Sequence, residues 1–293
     1  MTGVPAQAAE PASAARGAAA SVPASTVEAD DILKILQQHA LPDLIRTMTE
    51  KKNARRLRVL RMVGDESDSR ARPYLLQAYR DTPSDGVRCK LLESIGRLHD
   101  PTLLGWLLER LKDPSVQIQC FAIWALGELK DPRTKGPLLK KLWSPDSFVQ
   151  MTAIDALGKT GRDADLAAVL EVFLKDDDAQ IRFLAARALK GTAGPDAVPE
   201  LIRHLTQEPS LEVQETLAEA TGHVGGSIAA GRFIELLKNF PSQDTEHWAE
   251  AGLAAGPREI VIPAVTPLLK TGNFRLRMSV SRVLAELERN NQP

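Results

Sequence analysis

Histidine is the residue type of this chain with the widest chemical range, because it binds metals and transfers protons near neutral pH. The five histidines are His39, His99, His204, His223 and His247. No two of them have the i, i+4 spacing that places two metal ligands on one helix face. We therefore predict that they are single surface or interhelical residues and that the chain has no metal site.

Motifs for nucleophilic catalysis and phosphate binding are also missing from the sequence. Cys89 and Cys120 lie 31 residues apart without a paired histidine, and no Gly-x-Ser-x-Gly element occurs. A disulfide needs Cα atoms within about 7 Å of each other, whereas adjacent helices stand roughly 8–10 Å apart, so we do not expect these two cysteines to form one. The Gly-rich run 222–226 follows no strand, so we interpret it as an inter-helix turn. We predict no catalytic residue, no cofactor and no enzymatic activity.

Composition is typical of a soluble intracellular protein. The 293 residues include 37 basic and 38 acidic side chains, and 43% of them are apolar. No apolar run approaches the roughly 18 residues that a membrane helix needs. A net charge near zero disfavours binding to duplex DNA, and two cysteines indicate a reducing compartment. We expect a cytoplasmic bacterial protein that does not bind membranes.

Charge is distributed unevenly along the chain. Residues 46–97 hold 13 basic and 7 acidic side chains, whereas residues 163–260 hold 8 basic and 17 acidic ones. Such a split is compatible with the orientation of a charged partner along the molecule. The simpler interpretation, that these charges lie on solvated faces of surface helices, is favoured.

The N-terminal segment differs from the rest of the chain. Ten of its first 27 residues are alanine, and prolines interrupt any helix. We predict a disordered tail or tether over 1–28. The apolar spacing that follows predicts a capping helix over 29–40.

Beyond the tail the sequence repeats with a period of about 31 residues. The segment 115–132 (SVQIQCFAIWALGELKDP) matches 85–101 (DGVRCKLLESIGRLHDP). We aligned the units on one apolar position, nine residues before a glycine or its replacement. These anchor positions are Arg55, Val87, Ile118, Val149, Ile181, Val213, His247 and Leu276. A second apolar helical pattern lies between consecutive anchors, as in 103–111 and 197–205.

Each unit is therefore predicted to be two antiparallel helices that bury their apolar faces by stacking on neighbouring units. Alanines near the anchors and the terminal glycines allow close helix approach, and Asp-Pro pairs mark helix starts. We predict an all-α fold, a right-handed α-solenoid of about eight repeats over residues 41–288.

The pattern V-R/Q-x-x-A-x-x-A-L-G-x-L-x-D-P in these units resembles the HEAT-like repeat first associated with phycobilisome bilin lyases. The resemblance covers nearly all of the chain after the tail. It implies that the second helix of each unit lines a concave groove. It does not choose among scaffolds, adaptors, chaperone-like lyase subunits and enzymes.

The groove positions implied by the resemblance carry an apolar centre between a basic and an acidic end. The central residues are Cys120, Phe121, Trp124, Phe148, Met151, Phe183, Leu184 and Arg187. The basic end is formed by Arg58, Arg61, Lys90 and Arg97, and the acidic end by Glu212, Glu215 and Glu219. Exposed aromatic and apolar clusters usually mark protein-binding sites. The alternative is that the aromatic residues fill the core.

These observations lead to a noncatalytic scaffold or adaptor that holds a partner protein or peptide in its groove. Two alternatives stay open. The first is a bilin-lyase-like enzyme or chaperone subunit, suggested by the family name. The second is a nucleic-acid-binding solenoid, against which the acidic half of the chain argues because it would repel a phosphate backbone. The oligomeric state is not predicted.

Overall fold

Apolar residues at helical spacing recur throughout the chain and produce an entirely helical structure in the part described here. The computed structural model describes residues 72–239 and 242–290, which belong to one compact unit. The α-helices within these ranges are Arg72–Asp81 (α1), Asp85–Arg97 (α2), Leu104–Arg110 (α3), Val116–Leu129 (α4), Lys135–Lys141 (α5), Ser147–Gly158 (α6), Ala164–Val172 (α7), Ala179–Thr192 (α8), Val198–Gln207 (α9), Leu211–Asn239 (α10), Gln243–Ala254 (α11), Arg258–Val265 (α12) and Phe274–Arg289 (α13).

The helices form two layers. The first-helix layer contains α1, α3, α5, α7, α9, the part of α10 after Gly226, and α12. The second-helix layer contains α2, α4, α6, α8, the part of α10 before Gly226, α11 and α13, each in contact with the next. We call the exposed face of the second-helix layer the inner surface. The predicted α-solenoid is confirmed.

The repeat register predicted from sequence is correct in most units and wrong in one. The anchors Ile118, Val149, Ile181, Val213 and Leu276 are all buried. Val87, a further anchor, is half-buried.

His247 is exposed, so it is not the anchor of its unit. Thr245 is buried at the corresponding position of α11, followed by the buried residues Trp248, Ala249 and Leu253. With Thr245 as anchor, the spacings to Val213 and Leu276 become 32 and 31 residues, in line with the other units.

Glycines near the ends of the second helices allow neighbouring backbones to touch. A Cβ atom added to Gly127 would lie 2.9 Å from the Cα of Ala156, and one added to Gly158 would lie 2.8 Å from the Cα of Ala188. The tightest approach is between Gly222 of α10 and Gly252 of α11. Gly256 lies beyond the end of α11, so it does not serve as a terminal glycine.

Aspartates start the short 3₁₀ turns that precede the first helices, as the Asp-Pro pairs predict. The Asp100 carboxylate accepts a hydrogen bond from the backbone N–H of Thr102, and Asp131 accepts one from Arg133. Each proline occupies the first position of its turn, where no N–H is needed. Asp113 differs, because Ser115 is the N-cap residue of α4.

The connection between α10's two parts is reduced to one glycine. Gly226 has φ 50° and ψ −126°, a conformation available to glycine and not to residues with a side chain. The predicted turn at 222–226 is therefore a single-residue kink, and no loop separates these two helical segments.

Several predictions fall outside the described residues. These are the tail over 1–28, the capping helix over 29–40, and the first repeat with Arg55, Arg58 and Arg61. Within the described ranges, no helix combines the length and apolar character needed to cross a membrane.

Candidate functional site

The inner surface of α4, α6 and α8 carries a half-buried apolar cluster. Its members are Phe121, Trp124, Met151 and Phe183, which we call the central patch. The Trp124 ring lies across Gly96 of α2, where an added Cβ would be 2.8 Å from the ring edge. Each member of the central patch is half-buried, so part of its side chain is accessible at the surface of the second-helix layer.

Cationic side chains lie over the rings of the central patch. Two of these cations belong to α2. Lys90 Nζ is 5.9 Å from the centroid of the Phe121 ring, and the Arg97 guanidinium carbon is 6.0 Å from the centroid of the Trp124 ring. Lys159 Nζ is 5.8 Å from the Trp124 centroid. Each distance is within the range in which a ring face attracts a cation.

A further cation lies over an aromatic ring on α8, where the Arg187 guanidinium carbon is 5.6 Å from the centroid of the Phe183 ring. Arg187 and Lys159 both contact the Asp155 carboxylate, at 2.5 and 3.3 Å. A carboxylate thus links cations from two consecutive second helices.

Carboxylates also neutralise the other cations of the central patch. Glu93 contacts both Lys90 at 3.1 Å and Arg97 at 2.9 Å. Glu128 contacts Lys159 at 2.7 Å. Lys90 and Arg97 were predicted to form a separate basic end, but they border the central patch and share a carboxylate.

Other predicted groove residues differ in their exposure. Phe148 is 68% exposed at the start of α6, whereas Cys120 is half-buried on the inner surface. Leu184 is only 8% exposed and belongs to the core, so its assignment to the groove is wrong. The reason is that α8 turns Phe183 to the surface, which places the next side chain between the layers.

Both cysteines are free thiols. Burial raises the pKa of Cys89 above its ordinary value, and burial also raises that of Cys120. Because the thiolate is the reactive form, these thiols are poor nucleophiles at neutral pH.

The acidic residues predicted at the other end of the groove have basic neighbours. Glu219 lies 3.6 Å from Lys190, and Glu215 lies 3.8 Å from His247. These contacts span α8, α10 and α11. Glu212 is exposed at the start of α10.

Glu246 is held within an ion-pair network at the junction of α11 and α13. Its side chain is 12% exposed and accepts hydrogen bonds from Ser279, Arg275 and Arg282. Burial favours the neutral acid, but the Ser279 hydroxyl and the two guanidinium groups outweigh it and lower the pKa of Glu246.

This lowered pKa predicts a pH-dependent effect of Glu246→Gln. The carboxylate stabilises the folded state above its unfolded pKa, near 4.5, and the stabilisation is lost as the pH falls through the lower folded value. We expect the variant to lose about 1–3 kcal/mol of unfolding free energy at neutral pH and little in strong acid. Urea unfolding at several pH values measures this. Glu259→Gln, on the exposed side of α12, is the control, and an equal loss in acid and at neutral pH would contradict the prediction.

A second feature of the inner surface is a cavity of about 600 Å³ formed by α8, α10, α11 and α13, which we call the C-terminal cavity. Four alanines, Ala251, Ala254, Ala255 and Ala285, line the cavity, and we call them its floor. Its rim carries charged residues of both signs. The lining residues used below are Lys190, Glu215, Glu219, Ala251, Ala255 and Arg289.

The C-terminal cavity lies where α11 carries alanine at two inner positions that hold larger side chains in most other repeats. Six residues after the anchor, α11 has Ala251, whereas the other second helices have Glu93, Trp124, Asp155, Arg187, Glu219 and Arg282. Ten residues after the anchor it has Ala255, at a position occupied elsewhere by Arg97, Glu128, Lys159, Gly191, His223 and Glu286. The two missing side chains leave space between α10 and α13.

Sequence reasoning missed this cavity for two reasons. Alanine carries no reactive group that a sequence motif would include. In addition, the wrong anchor at His247 shifted the register, so Ala251 and Ala255 did not align with the larger residues of the other repeats. The run 249–256, which is rich in alanine and glycine, is the signal that could have found it. Glu93, Glu128 and Lys159 were also missed, because the sequence pattern does not identify which charged side chains pair with one another.

Comparison with known proteins identifies the repeats. A family model described as HEAT repeats matches residues 104–190 and 166–254, which together make up just over half of the chain. The chain belongs to the HEAT-repeat family.

One relative and one solved structure are similar to this chain. The bilin biosynthesis protein PecE of Mastigocladus laminosus is 31% identical over 112 residues, which cover 38% of this chain and 41% of PecE. The complex of CpcE and CpcF of phycocyanin lyase from Nostoc sp. PCC7120 has a similar fold. That similarity has a TM-score of 0.50 and 17% identity, covering 95% of this chain and 99% of the other. The predicted resemblance to the bilin-lyase HEAT-like repeats is confirmed.

The structure of human deoxyhypusine hydroxylase in complex with glycerol gives a weaker match, with a TM-score of 0.38 and 18% identity over 87% of this chain and 99% of that one. In the described part of this chain, no three histidine, cysteine or carboxylate side chains are grouped closely enough to hold a metal ion.

The prediction that the chain is not an enzyme is contradicted by its similarity to PecE, a bilin biosynthesis protein. The prediction depended on missing motifs for metal binding, nucleophilic attack and phosphate binding. Such motifs report only on chemistry that those groups perform.

Proposed function

We propose that this HEAT-repeat protein is a bilin-lyase-like subunit that handles a linear tetrapyrrole together with a protein partner. The observation that carries the proposal is the 31% identity to PecE over 112 residues. The matched region spans about two fifths of the length of PecE. We propose that the repeats in this shared region support the activity in both proteins.

The protein partner is proposed to bind at the central patch. Half-buried aromatic side chains with a solvent-accessible face are the residue types on which binding energy is usually concentrated. The cations around Phe121 and Trp124 are paired with Glu93, Glu128 and Asp155, so the border of the patch offers both charge signs to a partner. CpcE and CpcF, whose complex has a similar fold, likewise act as two chains in one assembly.

The proposal is tested by isolating the tagged chain from its native host. We expect the wild-type protein to recover a partner protein, identified by mass spectrometry, and pigment with the absorption of a protein-bound bilin. Substituting Phe121→Arg and Trp124→Arg together should abolish recovery of the partner, because a charge replaces each aromatic anchor.

Trp143→Arg is the matched control. Trp143 is 66% exposed, but it follows α5 in the first-helix layer, away from the central patch. This variant should recover the same partner as the wild type, and circular dichroism should show native helix content for all variants. Wild-type protein isolated without any bilin or bilin-carrying partner would overturn the proposal. Equal recovery by the Phe121→Arg, Trp124→Arg variant would move the partner site elsewhere.

A further inference from the structure

We propose that the tetrapyrrole binds in the C-terminal cavity, and that the central patch serves the protein partner alone. The inference rests on the proposed function, because it names the site at which the pigment would be held. It assigns the two activities to different stretches of the inner surface, the partner to α4, α6 and α8 and the pigment to α10, α11 and α13.

The size and floor of the C-terminal cavity suit a flat conjugated molecule. Its volume of about 600 Å³ lies within the range of small-molecule sites, roughly 300–1,000 Å³. Ala251 and Ala255 are half-buried and contribute small apolar side chains to the floor. These side chains leave room for a planar ligand, whereas α4 of the central patch carries Trp124 at the repeat position of Ala251.

The wall formed by α10 provides acceptors for the pyrrole nitrogens. Glu215 and Glu219 stand one helical turn apart on α10 and both line the cavity. Their side chains are 51% and 47% exposed, and their basic neighbours are at 3.8 and 3.6 Å, longer than a good charged hydrogen bond. The N–H groups of a tetrapyrrole can donate to these carboxylates.

Cations on both sides of the floor can bind the two propionate groups of a bilin. Lys190 reaches the cavity from α8, and Arg289 reaches it from the last turn of α13. Arg289 is 71% exposed, and its partner is Glu286 on the same helix. Exposed ion pairs of this kind contribute little to stability, so a ligand carboxylate can replace the partner of either cation.

A titration of the purified full chain with biliverdin, followed by absorbance, tests the inference. Ala251→Leu and Ala255→Leu fill the cavity with a good helix-forming residue at half-buried positions. We expect the two together to weaken binding at least tenfold. Ala168→Leu, at an exposed position of α7, is the matched control and should bind as the wild type does.

A second pair of variants tests the proposed contact with the propionates. Lys190→Gln and Arg289→Gln together should weaken the binding of biliverdin at least fivefold, while the binding of its dimethyl ester, which lacks the carboxylates, should not change. A purely structural role would affect both ligands alike.

The outcomes separate the inference from the proposed function. Suppose that the wild type and the Ala251→Leu, Ala255→Leu variant bind biliverdin equally well, but Trp124→Ala does not. The pigment site is then the central patch, so the inference is overturned while the proposed function stands. If the wild-type chain shows no saturable binding, the inference is overturned, while the proposed function stands provided that the chain isolated from its host recovers a bilin-carrying partner. Circular dichroism of each variant confirms that a loss of binding does not come from unfolding.

Discussion

Gly222→Ala is expected to destabilise the protein more than any other single methyl addition described above. A Cβ atom at position 222 would lie 1.8 Å from the carbonyl oxygen of Gly252, well inside van der Waals contact. The obstructing atom belongs to the backbone of α11, so no side-chain rotation relieves the clash and the two helices must separate. Since α11 is also packed through Trp248 and Leu253, we expect a loss of about 3–5 kcal/mol of unfolding free energy.

Gly231→Ala provides a control within the same helix. Gly231 is exposed, and nothing lies within 4 Å of the position where its Cβ would be. Alanine there should leave the protein unchanged or stabilise it by about 0.5–1 kcal/mol, because alanine loses less backbone entropy in a helix. Urea unfolding of both variants measures the difference. A Gly222→Ala variant as stable as the wild type would show that α10 and α11 do not approach as closely as described.

Removing the Glu208 carboxylate is expected to have the second largest effect. Glu208 is 4% exposed and accepts two hydrogen bonds from Arg182, at 2.9 and 2.8 Å, and one from the backbone N–H of Ser210. Arg182 also donates to the carbonyl oxygen of Asp176, so it joins two inter-helix loops. Glu208→Leu would leave the guanidinium group buried without its counter-charge, at a cost of about 3–5 kcal/mol.

The double variant Arg182→Leu, Glu208→Leu distinguishes an unpaired buried charge from lost packing. Replacing both partners removes the charge that the single substitution leaves uncompensated, so the double variant should be more stable than Glu208→Leu alone. Thermal and urea unfolding of the two singles and the double measure the coupling. Additive losses in the double variant would show that the pair acts through packing, without electrostatic coupling.

Sequence alone was sufficient for the fold because the repeat spacing encodes both the helices and their packing. The buried anchors from Ile118 to Val213 and the contact of Gly127 with Ala156 all follow from one local pattern that repeats along the chain. The pattern failed at α11, where a polar Thr245 occupies the buried position. Gly256, two residues beyond the end of α11, resembles the terminal glycine of the other units, and this placed the predicted anchor at His247.

The candidate site could be predicted less well, because exposure depends on neighbours that the sequence does not identify. The positions of Phe121 and Trp124 on the inner surface follow from the register, and so does that of Phe183. The burial of Leu184, the carboxylates beside each cation and the C-terminal cavity depend on contacts between consecutive repeats. The cavity in particular is a consequence of side chains that are small, and a search for reactive groups passes over them.

The backbone contact between Gly222 and Gly252 has a consequence for molecular recognition. Because α10 and α11 touch at these glycines, two walls of the C-terminal cavity are packed directly against each other. A ligand that enters the cavity meets walls whose separation is already set. Little of its binding free energy is then spent on ordering the protein, which is the thermodynamic advantage of a preorganised receptor.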